Sequence, residues 1–146
     1  MARKNILAGF VNKLEDEEIF QFDISSKNAR IKLQKYIYLA RKFGFDLNYS
    51  FNLYVHGPYS PSLASDYYSL EDISFEPHDI NESFFDLVRN KSTRWLELAS
   101  TIMLVKENYP KRNEDAIINF VLFKKSFATH DEIMNIFEEL KRYKVV

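Results

Sequence analysis

The side chains in this sequence best suited to acid–base chemistry near neutral pH are its three histidines, His56, His78 and His130. His56 lies in the stretch YVHGPYSPSL (Tyr54 to Leu63), which also carries Ser60 and is followed by Asp66. Serine, histidine and aspartate are the types that a nucleophilic hydrolase needs: the imidazole takes the serine proton and the carboxylate orients the ring. Ser60, however, precedes Pro61, and that pair is the arrangement of a helix N-cap and a first-position proline. Capping accounts for the serine without catalysis, and turn packing accounts for His56.

A metal site would draw on the same histidines with Asp79 or Asp131. No two histidines have H-x-H or i, i+4 spacing, and a histidine followed by an aspartate is a weak pattern. His130 and Asp131 fall in the first turn of an expected helix, where the dipole favours an acid. Cysteine is absent, which removes disulfides, thiol catalysis and Cys–zinc sites. The three glycines, at positions 9, 44 and 57, do not cluster into a phosphate-cradling loop. The reading is a protein that is not an enzyme, with no catalytic residues, no metal and no cofactor.

The elements that would position these side chains are mainly α: six or seven helices in one compact domain, residues 1–146, with a short strand or β-hairpin around residues 46–56. Ile6, Leu7, Phe10, Val11 and Leu14 give helical spacing over Ala2 to Leu14. Ile19 to Ile24 (IFQFDI) alternates, as a short strand or an extended connector would. Ser25 or Ser26 caps a second helix to Phe43, which Gly44 ends in the left-handed conformation. Asn48 to Gly57 (NYSFNLYVHG) is rich in aromatic and β-branched residues, as a strand is, and would make half of a hairpin with the segment before it. Pro58 presets a turn, and Ser60 opens a third helix to Leu70. Asn81, Ser92 or Thr93, Asn113 and Thr129 cap four more, the last with Glu132 in a capping box. Trp95 to Val105 is apolar on more than one face, as a central helix would be, and the same holds for Ile117 to Leu122.

Aromatics at 16% imply a core or interface built from rings. The net charge of −1 gives no overall argument for nucleic acid, but the charges are segregated. Residues 46–88 contain no Lys or Arg and eight Asp or Glu, between two cation-bearing flanks. An acidic, tyrosine-rich middle suits a basic protein partner, with Tyr59, Tyr67, Tyr68 and Asp66 as the candidate contact residues. The N-terminal segment turns acidic by Glu15, too early for a signal peptide, and no apolar run approaches membrane-spanning length. The expected location is the cytoplasm, with no membrane contact.

On the second helix, Ala29, Leu33, Tyr36, Ile37, Ala40 and Phe43 share a core face. Lys27, Arg30, Lys35, Arg41 and Lys42 fall on another arc, interleaved with Ile31, Gln34 and Tyr38. Either another segment covers that arc or it binds something. The cover expected is the 54–63 segment, with Gln34 satisfying a backbone group there and the basic rim meeting the acidic middle.

KLQKYIYLA (Lys32 to Ala40), followed by YVHGPYSPSLASD (Tyr54 to Asp66), resembles the SocA-like or Panacea-domain family and its YwgA-like relatives. Lys32, Leu33, Gln34 and Lys35 match the first block of that pattern. Tyr54, His56, Gly57, Pro58, Tyr59, Ser60, Leu63 and Asp66 match the second. The resemblance implies a small, mainly helical interaction module: an antitoxin that neutralises a partner toxin, a protease adaptor, or a phage-type protein. It carries over no metal, nucleotide or catalytic residue. The competing expectation is a DNA-binding regulator of winged-helix type. Against it, Pro61 to Asp72 contains no cation and ends acidic, which phosphates would repel.

Overall fold

The computed structural model describes residues 2–146. Over these residues the protein is mainly α, with seven α-helices and a two-stranded antiparallel sheet. In chain order these are α1 (Ala2–Asp16), α2 (Lys27–Ala40), β1 (Asn52–Tyr54), β2 (Gly57–Tyr59), α3 (Pro61–Tyr67), α4 (Glu82–Val88), α5 (Thr93–Asn108), α6 (Glu114–Lys124) and α7 (His130–Arg142). A 3₁₀ turn, Arg41–Phe43, extends α2 and ends at Gly44 with φ 89°. Among the described residues, no helix is long and apolar enough to cross a membrane.

Every expected cap forms. The side chains of Ser26, Ser60, Asn81, Ser92, Asn113 and Thr129 each accept a backbone N–H from the first turn of their helix. Each relieves one of the donors that a helix start leaves unpaired. α5 is the central helix: Leu96 through Val105 is buried without interruption, and it packs on α2, α6, α7 and the hairpin. Its buried hydroxyls are paired within the helix, with those of Ser100 and Thr101 each donating 2.7 Å bonds to the carbonyls of Leu96 and Glu97 respectively. The core is one apolar cluster running from Leu7 to Val145, and rings tie its parts together. Phe10 stacks on Phe45 at 4.8 Å and meets Phe84 at 5.7 Å, joining α1, the segment after α2, and α4.

Two expectations need correction. The hairpin lies at residues 52–59 rather than 46–56, with Leu53 opposite Pro58 and a two-residue turn at Val55 and His56. Gly57 and Pro58 therefore begin the second strand instead of making the turn. Proline fits there because a two-stranded sheet has only edges, where a missing N–H leaves no partner unpaired. Of the two forms expected for residues 19–24, the connector holds, without strand pairing. The 54–63 segment does cover α2, but among the described residues no carboxylate of the acidic middle pairs with its basic arc. Asp66 pairs with Arg3 of α1, while Arg41 and Lys42 turn to Glu107 of α5.

The acidic segment is fastened to α1 instead. Glu76 N–H donates to the Asn5 carbonyl at 3.0 Å, and the Asn5 amide donates to the Ser74 carbonyl at 2.6 Å. Gly9 makes this approach possible, since a Cβ there would collide with the Glu76 carbonyl.

Candidate functional site

Strands of three residues do not stand alone in water, so the hairpin needs outside support. It comes from long polar side chains. The Gln34 amide grips Ser60 in both directions, accepting from its N–H at 2.9 Å and donating to its carbonyl at 3.0 Å. Lys35 donates to the Pro58 carbonyl at 2.7 Å, and Lys125 donates to the Val55 carbonyl at the same distance. Lys125 also pairs with Glu97 at 2.9 Å, and the second oxygen of Glu97 lies 3.5 Å from His56 Nδ1. Gly57, at φ 91°, packs where a Cβ would press on the Thr101 hydroxyl at 2.9 Å. The GP of the motif is thus a close-approach residue followed by a strand residue.

Lys35 is only 1% exposed, although its position on α2 placed it among surface cations. Burial pushes its ammonium down to about 8; Glu97 opposes that shift and Lys125 adds to it. An ammonium whose folded value lies below its unfolded one binds its proton less tightly in the native state. Between about pH 8 and the ordinary lysine range the unfolded chain holds more protons, so stability from this residue rises with pH there. We expect unfolding free energies from denaturant titrations at about pH 9.5 to exceed those at about pH 8, by at most about 1.4 kcal/mol per pH unit. The rise should vanish in Lys35→Met.

The sequence-level site residues are distributed as follows. Ser60, His56 and Asp66 each have a different partner and make no triad. Ser60 is fully buried, and its hydroxyl caps α3. Asp66 accepts from the Tyr49 hydroxyl at 2.6 Å and from Arg3 at 3.3 Å. Burial and the Asp66 carboxylate together hold the Tyr49 phenol well above its usual range. His78 sits beside Glu76, and His130 beside Asp131. Among the described residues, no three His, Asp or Glu side chains gather as a metal site would require. Leu33 is core, and Tyr67 is buried with its phenol raised by desolvation. Lys32 lies on the outer side of α2, beside Phe20 and Asn28. Tyr59 is half-buried, and Tyr68 is 61% exposed.

Two concavities flank the Tyr67–Tyr68 pair, whose rings lie 5.3 Å apart, and they have opposite charge. One is a groove of 700 Å³ between α1, the 21–24 connector and the 70–75 segment. Val11, Phe22, Tyr68 and Phe75 supply its apolar surface. Glu15, Asp23, Glu71 and Asp72 supply its charge, and among the described residues no cation lines it. The other is a pocket of 320 Å³ between α2, the hairpin and α3. It carries Lys27, Arg30, Lys35 and His56 among four tyrosines and, among the described residues, no carboxylate. Val55, at the hairpin tip, stands 81% exposed beside it.

Glu97 and Lys125, which hold this arrangement together, were not among the sequence candidates. The signal available for Glu97 was a single acid inside the apolar run WLELAS, on a helix whose apolar residues exclude a solvent face. Lys125 carries no such mark, because LFKKSF reads equally well as a solvated helix end.

No family model matches the chain, and no solved structure matches it. The protein is similar to the uncharacterized protein YwgA of Bacillus subtilis strain 168, at 25% identity over 78% of this chain and 87% of that one. The YwgA-like part of the resemblance therefore extends along most of both chains.

Proposed function

We propose that this protein is a non-enzymatic, cytoplasmic protein-interaction module whose acidic groove receives a basic segment of a protein partner. The observation that carries this reading is the 700 Å³ groove itself, with four carboxylates, no cation among the described residues and exposed rings at its edge. Aromatic side chains anchor interfaces, and carboxylates around them steer a cationic partner and set the register. Phe75, more than half exposed on the segment that Asn5 and Gly9 fasten to α1, offers such an anchor beside Tyr68. The SocA-like or Panacea-domain pattern in Lys32–Ala40 and Tyr54–Asp66 suggests the finer role, an antitoxin-like or protease-adaptor-like protein. A toxin or substrate protein with a basic surface is the partner this role would require.

Co-expression with the genomic neighbours, followed by purification and partner identification, tests the reading. The wild type is compared with Glu71→Lys plus Asp72→Lys and, separately, with Tyr68→Ala. The expected result is a stoichiometric basic partner whose affinity falls with salt and drops at least about tenfold on charge reversal. Retention of that partner by the folded charge-reversal variant would refute the groove as its seat. Recovery of nucleic acid alone, stripped by salt and indifferent to the groove variants, would overturn this reading in favour of the DNA-binding regulator.

A further inference from the structure

We propose that the pocket on the opposite side of the Tyr67–Tyr68 pair is a binding site for a small aromatic anion, its ring between tyrosines and its carboxylate or phosphate near Lys35 and His56. The pocket adjoins the acidic groove across the Tyr67–Tyr68 pair but is opposite to it in charge, so the proposal goes beyond the partner reading and does not rest on it.

Charge complementarity comes first. Lys27 and Arg30 stand at the rim and Lys35 at the wall, and among the described residues no Asp or Glu side chain lines the space. Behind the wall, the Glu97 carboxylate pairs with Lys125 at 2.9 Å, and among the described residues no carboxylate lies within ion-pair distance of the Lys35 ammonium. A buried cation without a full counter-charge is costly, and an anion in the pocket supplies the missing charge. Donor capacity agrees. An ammonium has three N–H groups, and the Pro58 carbonyl takes one of those of Lys35.

Shape and lining then select the rest of the ligand. Tyr54 and Tyr59 meet edge to face at 5.3 Å, Tyr68 and Tyr67 form the opposite side, and Ile31 lies between. Faces of this kind accept a flat ring, in stacked or edge-on geometry. A volume of 320 Å³ suits one or two fused rings with an acid group and is too small for a nucleic acid strand.

The test uses the full-length chain with three probes of one shape: benzoate, benzamide and benzylamine, with phenyl phosphate as the phosphate arm. Ligand-observed NMR and amide shift titrations follow binding. The expected result is roughly millimolar binding of benzoate or phenyl phosphate, as befits a one-ring fragment. Shifts should centre on Arg30, His56, Tyr59 and Tyr68, with benzamide at least about tenfold weaker and benzylamine weaker still. Which anion binds more tightly decides between carboxylate and phosphate ligands. Lys35→Met should remove most of the affinity. Because that change also frees the Pro58 carbonyl, Lys27→Gln plus Arg30→Gln provides a second variant that leaves the hairpin bonds intact and should weaken binding several-fold.

The groups facing Lys35 are Glu97 and Lys125 behind it and His56 and the two rim cations around the pocket. Affinity should therefore decline as pH rises through about 8, as Lys35 loses its proton. Equal binding of benzamide and benzoate, shifts confined to the acidic groove, or no shift with any probe up to about 20 mM would each overturn the proposal.

Discussion

Glu97→Ala is expected to lower the stability of the protein by about 3–5 kcal/mol, the loss seen when one partner of a buried ion pair is removed. Glu97 is the carboxylate that faces Lys125 directly and raises the ammonium of Lys35 against its desolvation. Truncating it leaves two cations in the interior, and neither can swing to water without releasing the carbonyl it holds, Val55 or Pro58. The hairpin should loosen with them. Glu97→Gln keeps the shape and an acceptor for Lys125 but removes the charge, so its effect should be intermediate. Urea unfolding with an unchanged m-value measures both losses. A loss below about 1 kcal/mol for the alanine variant would mean that the lysines reach solvent at little cost.

Gln34→Leu should cost about 1–3 kcal/mol for a different reason. Leucine fills similar space, yet it strands the Ser60 N–H in the interior, worth about 1–3 kcal/mol when unpaired, while the Ser60 carbonyl keeps only the Ala64 N–H. Gln34→Glu retains the acceptor for the Ser60 N–H and sets a carboxylate oxygen against the Ser60 carbonyl, so it should recover part of the loss at most. Amide exchange at Ser60 gives the sharper readout. It should accelerate far more than exchange at Leu96 or Ile102 of α5, whose bonds do not pass through the hairpin.

Much of this fold was legible from local chemistry. Ser26, Ser60, Asn81, Ser92, Asn113 and Thr129 announce helix starts because a short side-chain oxygen beside an apolar-periodic run has one obvious use. Gly44 announces a helix end for an equally local reason. Gln34 was legible too: an amide among cations, opposite a proline-bearing segment, has backbone groups to satisfy, and it does satisfy them. The hairpin register was less so. Aromatic enrichment marks a strand near Tyr54, but the choice between pairing backward or forward rests on Gly57 packing against α5, which is remote in sequence.

The site was harder to read. Lys35 sits one residue from Gln34 and shares its arc with true surface cations, so only the elements packed over it distinguish it from them. Asp66, a candidate for contact with a partner, is held by Tyr49 and by Arg3 across 63 residues. The division of charge around Tyr67 and Tyr68 depends on the connector at 21–24 arriving on one side and the hairpin on the other. The sequence shows an acidic middle and basic flanks; their separation into two adjoining cavities of opposite sign arises from chain topology.

The hold that Lys125 has on the Val55 carbonyl has a consequence for how the protein is made. The two residues are 70 apart in sequence, and Glu97, which neutralises that lysine, lies between them. A nascent chain emerging from the ribosome presents both short strands and the exposed Val55 long before α5 and the end of α6 exist to receive them. Gln34 and Lys35 are already present, but without Glu97 their neighbourhood carries an uncompensated cation. The hairpin should therefore remain unsettled through most of translation and lock only when the sixth helix closes. The first half of the chain is thus the part most in need of protection during synthesis, and a chain ending before Lys125 should show the aromatic signature of α1 and α2 without a fixed hairpin.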